Sequence, residues 1–200
     1  MTTTAKLRTG MRMTLEDFLA LDETDGRWEL DDGVLYIMGS GSPDHQFLIM
    51  EFCRYLDDYL DGFDHTPAQF YHSLTTVLSR QQQRVYEPDL VIIRNERRGI
   101  VGVSRVEGAP DIVAEILSTD RNRDLVRKRQ MYAEAGVAEY WPIDPRNDMV
   151  TQLELRAGAY VERNVLGVGD ILNTPLLPGL EIPLSEIFQH RRRPPREELS

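Results

Sequence analysis

The order of predicted elements indicates a single α/β domain with a mixed β-sheet flanked by helices. Helical and strand patterns alternate along the 200 residues, which is typical of helices packed on a sheet. In residues 85–93 and 111–117, apolar side chains occur at both odd-numbered and even-numbered positions. Successive side chains of a strand point to opposite faces, so this pattern is expected for strands buried on both faces. With 41% hydrophobic residues, the chain can fill a core of ordinary size.

Two helices and a hairpin are predicted in the first third of the chain. Thr14 begins a helix of the capping-box kind. Residues 28–38 predict two short strands around the turn Asp31-Asp32-Gly33. Ser42-Pro43 begins a second helix, whose apolar positions recur at helical spacing until it ends near Gly62.

Strand patterns dominate the remainder, with one long helix among them. That helix covers about residues 121–135 and ends at Gly136. The other predicted elements are strands at 73–79, 85–93, 111–117 and 140–143, a hairpin at 149–156 and 159–165, and a run at 176–182 before a short helix at 184–189. We expect the hairpin to be a C-terminal extension of the core.

Composition excludes several functional classes. A single cysteine, Cys53, permits neither a disulfide nor a cysteine–histidine zinc site, and its apolar neighbours predict a buried small hydrophobe. No run of 18 apolar residues predicts a membrane span, the N-terminus lacks the apolar stretch of a signal peptide, and a cytoplasmic location is expected.

The net charge of −10 argues against a general nucleic-acid coat protein. The charge is not uniform, however, because residues 94–129 hold nine basic and six acidic residues.

The domain itself is predicted to cover residues 13–189. Residues 1–12 form an N-terminal extension, and residues 190–200, rich in arginine and proline, predict a disordered tail. The sequence leaves the oligomeric state open, a homodimer included.

Two acids in apolar strands are the first candidates for a site. Asp89 stands where the apolar part of one strand begins, and Glu115 lies in the middle of the next. Ionised carboxylates in such positions are costly unless they are paired, hydrogen-bonded or bound to a metal. On neighbouring strands they would form an oxygen site suited to Mg²⁺ or Mn²⁺. The alternative is structural: one acid caps a backbone amide and the other pairs with arginine.

Lys128 is the third candidate. Only two of the 23 basic residues are lysines, Lys6 and Lys128, and Lys128 shares a helical stripe with Leu125 and Tyr132. A lysine is a compact point charge whose pKa shifts on burial, whereas arginine is a planar fork that stays charged. Near a divalent ion, such a lysine can orient a water and offset charge on a phosphate.

These residues resemble the PD-(D/E)XK nuclease superfamily. Pro88-Asp89 followed by Glu115 on a later strand is similar to its pattern, and the resemblance implies a restriction-endonuclease-like core. The pattern places lysine two residues after the second acid, but residue 117 is leucine. In some branches the following helix supplies the lysine, and Lys128 is placed for that.

The wider sequence, over about residues 13–189, is similar to the Uma-two family of restriction-endonuclease-like proteins. The matching stretches are Trp28-Glu29-Leu30-Asp31-Asp32-Gly33, Ser42-Pro43-Asp44-His45, Glu87-Pro88-Asp89-Leu90, residues 108–118, residues 132–137, Glu139-Tyr140-Trp141 and Leu177-Pro178-Gly179-Leu180. The resemblance implies a metal-dependent nuclease with DNA as substrate, and it places Glu29 near the metal as an auxiliary acid.

Four further residues have weaker signals. His45 falls in the first turn of the second helix, where packing is the favoured role and phosphate binding the alternative. For Asp111 a role at the strand start is favoured over one in the site. Tyr132 and Trp141 are predicted to be core residues.

The sequence thus predicts Mg²⁺- or Mn²⁺-dependent hydrolysis of DNA phosphodiester bonds. Asp89 and Glu115 would hold the metal, Lys128 would assist the water and the phosphate, and Glu29 would be auxiliary. The competing hypothesis is a non-catalytic binding or assembly module that retains the nuclease fold, which the displaced lysine and the acidic composition keep open.

Overall fold

The computed structural model describes residues 7–21, 27–39 and 41–189. The helices are α1 (Leu15–Leu19), α2 (Pro43–Leu60), α3 (Arg129–Ala135) and α4 (Leu184–Gln189), with a 3-10 segment at Asn95–Ile100 and a π-helical segment at Arg123–Lys128 that runs directly into α3. The strands are β1 (Arg27–Asp31), β2 (Val34–Met38), β3 (Ala68–His72), β4 (Thr76–Ser79), β5 (Arg84–Tyr86), β6 (Leu90–Arg94), β7 (Val106–Glu107), β8 (Ile112–Ile116), β9 (Glu139–Asp144), β10 (Met149–Arg156), β11 (Ala159–Leu166), β12 (Ile171–Thr174) and β13 (Leu177–Pro183).

The strands form a six-stranded central sheet, a five-stranded second sheet and a two-stranded ribbon. The central sheet has the order β11-β10-β9-β8-β6-β3, and it is mixed because β8 and β9 are parallel while their other neighbours are antiparallel. The second sheet has the order β2-β1-β5-β4-β7. The predicted α/β class with a mixed, helix-flanked sheet is confirmed, and the C-terminal hairpin β10–β11 extends one edge of the central sheet.

Hydrophobic clusters cover both faces of the central sheet. On one face, Leu48 and Phe52 of α2 pack with Ile92 and Ile112 of the sheet. On the other, Tyr132 of α3 packs with strand residues that include Val91 and Val113. Alternate residues of β6 and β8 therefore enter different clusters, as the apolar pattern of these strands predicts. Cys53 is only partly buried beside the α2 cluster, so the prediction of full burial was too strong.

The predicted strand at 85–93 is divided between the two sheets. Glu87-Pro88-Asp89 separates β5 in the second sheet from β6 in the central sheet. Pro88 cannot donate a ladder hydrogen bond, which favours a break at this point. The predicted strand at 73–79 is also shorter, because Ser73 adopts a positive φ of 49° and β4 begins at Thr76. The edge strand β3 and the short strand β7 were not predicted.

The ends of the chain leave part of the domain prediction untested. Residues 190–200, the predicted disordered tail, and residues 1–6 lie outside the described residues. Residues 7–13 run beside the β1–β2 hairpin, where the Gly10 amide donates to the Leu35 carbonyl and the Met13 amide to the Gly33 carbonyl. In the described part of the chain, no helix combines the length and apolar character needed to cross a membrane.

Candidate active site

Asp89 immediately precedes β6, Glu115 lies on the neighbouring strand β8, and both are on the same face of the central sheet. The antiparallel register pairs Leu90 with Ala114 and Val91 with Val113, so Asp89, one residue before β6, comes opposite Glu115. Residues opposite each other in an antiparallel pair point to the same side. Oδ2 of Asp89 also accepts a hydrogen bond from the Ile116 amide at 2.9 Å, which ties the Asp89 side chain to β8.

Lys128 reaches this face of the sheet from the π-helical segment. Its Nζ donates to Oε1 of Glu115 at 2.8 Å and forms an ion pair with Oε1 of Glu29 at 3.0 Å. Glu29 comes from β1 of the second sheet, so the lysine connects the two sheets. Asp89, Glu115, Lys128 and Glu29 are all buried, with exposed fractions of 6%, 3%, 3% and 1%. The structure therefore brings all four predicted residues together.

Three residues that the sequence did not assign to the site also contact it. His45 lies with Nε2 3.0 Å from Oδ2 of Asp89, a contact that the favoured packing role did not include. The Tyr132 hydroxyl donates to Oε1 of Glu115, although the ring lies in the core as predicted. Arg123 donates to Oε2 of Glu29 at 2.6 Å. For His45, the available signal was a polar ring on an otherwise apolar helical stripe.

Burial and charge shift the pKa values of the central groups in different directions. Burial raises the pKa of Glu115 above its ordinary value, although Lys128 opposes the shift. Burial alone would lower the pKa of Lys128, but Glu115, Glu29 and Asp89 raise it, so the ammonium form persists at neutral pH. Burial would also raise the pKa of Asp89, yet the hydrogen bond and charge of His45 and the charge of Lys128 bring it below its ordinary value. The buried acids thus depend on nearby positive charge.

A cleft of about 680 Å³ opens onto these residues. Its wall comes from both sheets, the start of α2 and the loop after β8, and it includes the side chains of Glu29, His45, Asp89, Glu115 and Lys128. Three arginines also line it: Arg27, Arg123 and Arg146. Acids outnumber basic residues in the lining of the cleft, and Arg27 and Arg123 are paired with Glu87 and Glu29, so the cleft favours cations over anions.

A comparison with protein families identifies the chain's relatives. The model of the Uma2 (Uma-two) family, described as "Putative restriction endonuclease", matches residues 15–185. The chain belongs to the Uma2 family. The fold of this Uma2 chain is similar to the crystal structure of "a putative nuclease belonging to DUF820" from Anabaena variabilis, with a TM-score of 0.73 over 88% of this chain and 98% of the other. At 18% identity, this likeness shows the fold alone. No curated protein matches the chain.

With two acids, Asp89 and Glu115, on one face of the sheet, the Uma2 site would offer a divalent ion few protein ligands, so such an ion would keep several waters. Among the described residues, no three histidine, cysteine, aspartate or glutamate side chains are grouped to hold a metal ion. Mg²⁺ usually keeps several waters and binds through one or two carboxylates. Oδ1 of Asp89 and Oε2 of Glu115 accept no hydrogen bond from the described residues, whereas the other oxygen of each side chain does.

Two other predicted candidates have structural roles in this Uma2 chain. The carboxylate of Asp111 accepts hydrogen bonds from the amide of Arg94 and from the side chains of Arg94 and Arg97, and Asp111 does not line the cleft. Trp141 is fully buried, and its indole donates to Glu139. Both agree with the roles favoured from the sequence.

Proposed function

We propose that this Uma2 protein is a divalent-metal-dependent endonuclease that hydrolyses phosphodiester bonds in DNA. The observation that carries the proposal is Lys128, a buried lysine that contacts Glu115 and Glu29 in the same cleft as Asp89. Burying three acids beside one lysine is costly unless further positive charge matches them, and a divalent cation would supply such charge. Membership of a family described as "Putative restriction endonuclease" supports a nuclease-like function.

Asp89 and Glu115 would hold Mg²⁺ or Mn²⁺ through the carboxylate oxygens that accept no hydrogen bond from the described residues. When bound, the ion polarises a phosphoryl oxygen and lowers the pKa of a coordinated water. Glu115 projects from β8, and the Ile116 amide of that strand holds the Asp89 side chain just before β6, so both carboxylates are held in place before the substrate arrives.

Lys128 would act on the attacking water and the phosphate. An ammonium group has three hydrogen-bond donors, and Glu115 and Glu29 engage two of them. The remaining donor is suited to orient a water or to offset negative charge that develops on the phosphate. Glu29 is then a positioning residue, because it holds the lysine while Arg123 holds Glu29.

DNA binding in the cleft would depend on the divalent cation, because acids outnumber basic residues there. The chain carries a net charge of −10, so nonspecific attraction to a polyanion is weak. Arg27 and Arg123, which pair with Glu87 and Glu29, and Arg146 line the cleft and would offer local contacts to phosphates beside the bound ion.

The test compares two buried aspartates of the same domain. Asp89→Asn should abolish cleavage of plasmid DNA and weaken Mn²⁺ binding at least tenfold by calorimetry, because the amide cannot replace a charged ligand. Asp111→Asn is the matched control, since Asp111 is also buried but binds Arg94 and Arg97 away from the cleft. Provided that circular dichroism shows Asp111→Asn to be folded, this variant should bind metal and cleave DNA like the parent.

The competing function is a non-catalytic binding or assembly module. One observation favours it: the carboxylate of Glu115 is already engaged by Lys128 and Tyr132. A parent protein that neither binds Mg²⁺ or Mn²⁺ nor cuts supercoiled, linear or single-stranded DNA would contradict the nuclease and leave this second function as the favoured one. The cleavage reactions are run in parallel with Mg²⁺, Mn²⁺ and Ca²⁺.

A further inference from the structure

His45 occupies a defined position between α2 and the proposed metal site. Ser42 caps α2 by accepting a hydrogen bond from the His45 amide at 3.2 Å, and Pro43 occupies the first turn. The helix then packs on the central sheet through Leu48 and Phe52. This fixes the backbone of His45 at the rim of the cleft, with its ring turned toward Asp89.

The imidazole contributes one of two contacts that hold the Asp89 carboxylate. Nε2 of His45 lies 3.0 Å from Oδ2 of Asp89, and the Ile116 amide donates to the same oxygen at 2.9 Å. A carboxylate held through one oxygen by two donors cannot rotate freely. Its second oxygen, Oδ1, accepts no hydrogen bond from the described residues.

Gly41 lies close to the ring. A Cβ atom at this position would lie 2.6 Å from Nδ1 of His45 and 2.8 Å from Nε2 of Gln46, so a larger residue would press on both side chains. Nδ1 is buried and has no hydrogen-bond partner among the residues that the structure describes. Because buried polar atoms usually have a partner, this orientation satisfies Nε2 through Asp89 and leaves Nδ1 against Gly41. The closeness of Gly41 and the Asp89 contact together define the orientation of the ring.

We propose that His45 is a positioning residue that acts through Asp89, holding Oδ2 so that Oδ1 is directed to the divalent cation. This inference rests on the proposed function, because it assigns Asp89 as a metal ligand. Groups that orient metal ligands in this way alter metal affinity by about 10-fold to 100-fold when they are removed. His45 itself need not touch the metal or the substrate.

The experiment measures Mn²⁺ affinity by calorimetry on metal-free protein, so that it does not depend on cleavage. His45→Ala should weaken Mn²⁺ binding by about 10-fold to 100-fold. His45→Gln should recover most of this loss, because its amide nitrogen can donate to Asp89 from a similar distance. The metal-free melting temperature of each variant shows whether the protein remains folded.

A pair of glycine substitutions tests the same contact without removing the histidine. Gly41→Ala forces the ring to move and should weaken Mn²⁺ binding by about tenfold. Gly39→Ala is the matched control, because Gly39 also lines the cleft but nothing lies within 4 Å of the added Cβ. It should bind Mn²⁺ like the parent.

The outcomes separate this inference from the proposed function. If the parent binds Mn²⁺ and folded His45→Ala and Gly41→Ala bind it equally well or better, the role of His45 is wrong while the metal site stands. A parent that binds no Mn²⁺ overturns both. If His45→Ala does not fold, Gly41→Ala against Gly39→Ala decides the question, and equal affinities for that pair would overturn the inference.

Discussion

At the scale of single residues, the site depends on one buried cation shared by two acids. Lys128 contacts Glu115 and Glu29, and replacing it removes positive charge from a cluster of buried carboxylates. Truncating one member of a buried charge cluster commonly costs about 3–5 kcal/mol because the remaining charges lose their partner. The chemical role of Lys128 is therefore best tested by a change that keeps its charge.

Lys128→Arg should preserve folding better than Lys128→Ala, yet it should lose most cleavage. The guanidinium stays charged but is wider than an ammonium and cannot occupy the same compact position between Glu115 and Glu29. Lys128→Ala should also lose cleavage while retaining metal binding, if it folds. Plasmid cleavage, calorimetric titration and circular dichroism give these comparisons. If Lys128→Arg cleaved plasmid DNA as well as the parent does, the proposed role of the lysine would be contradicted.

At the scale of elements, the segment that carries Lys128 is held at its start by an ion pair. Arg121, two residues before the π-helical segment, donates to Oδ1 of Asp144 at 3.0 Å and to Oδ2 at 2.8 Å. Asp144 ends β9, which is parallel to the strand of Glu115. The pair thus attaches the start of this segment to the same sheet as the acids. π-Helical turns are rare and frequent at functional sites.

Asp144→Asn should lower the free energy of unfolding by about 1 kcal/mol at pH 7. The hydrogen bond from Arg121 is the main reason that the pKa of Asp144 is lowered to about 2, whereas an unfolded aspartate has a pKa of about 3.9. A depressed pKa adds stability that is complete above the unfolded value and is lost as the pH falls toward the folded one. Urea unfolding should show an equal difference between variant and parent at about pH 7 and pH 5, and a smaller one at about pH 3.

Glu154→Gln is the control for this prediction, because the Glu154–Arg156 pair lies on the surface. Its stability should be indistinguishable from that of the parent at every pH. An Asp144→Asn difference that stayed constant down to pH 3 would show that the ion pair is not its source.

At the scale of the whole molecule, the site forms where the two sheets meet. Glu87-Pro88-Asp89 carries the chain from the second sheet into the central sheet, and Asp89 ends this crossover. Glu29 belongs to the second sheet, Glu115 to the central sheet, and Lys128 to the segment between β8 and α3. Any change in the relative position of the sheets would therefore disturb the acids and the lysine together.

Deleting residues 191–200 should leave the melting temperature of the domain within a few degrees of the parent value. This segment has two prolines, four arginines and one large apolar residue, Leu199, so it can bury little apolar surface. Differential scanning calorimetry on the two proteins gives the comparison. A larger fall would show that these residues contribute to the packed domain.

The sequence alone determined which residues were candidates for the site. Asp89 and Glu115 were conspicuous because they interrupt apolar strands, and Lys128 because it is one of two lysines in an arginine-rich chain. The alternation of apolar residues also predicted that β6 and β8 are buried on both faces. These signals are local, because the periodic spacing of apolar residues along a helix or strand indicates which of its side chains are buried.

Only the tertiary structure decided which of these side chains meet. Lys128 contacts Glu29 across 99 positions (128 − 29), and His45 contacts Asp89 across 44. Periodicity reports that a residue is buried but does not identify its partner, so the packing role favoured for His45 missed Asp89. The division of residues 85–93 between two sheets depends on strand pairing as well as on Pro88. Pairing between distant strands is decided by the folded chain, since each strand alone has the same backbone hydrogen-bonding groups to offer.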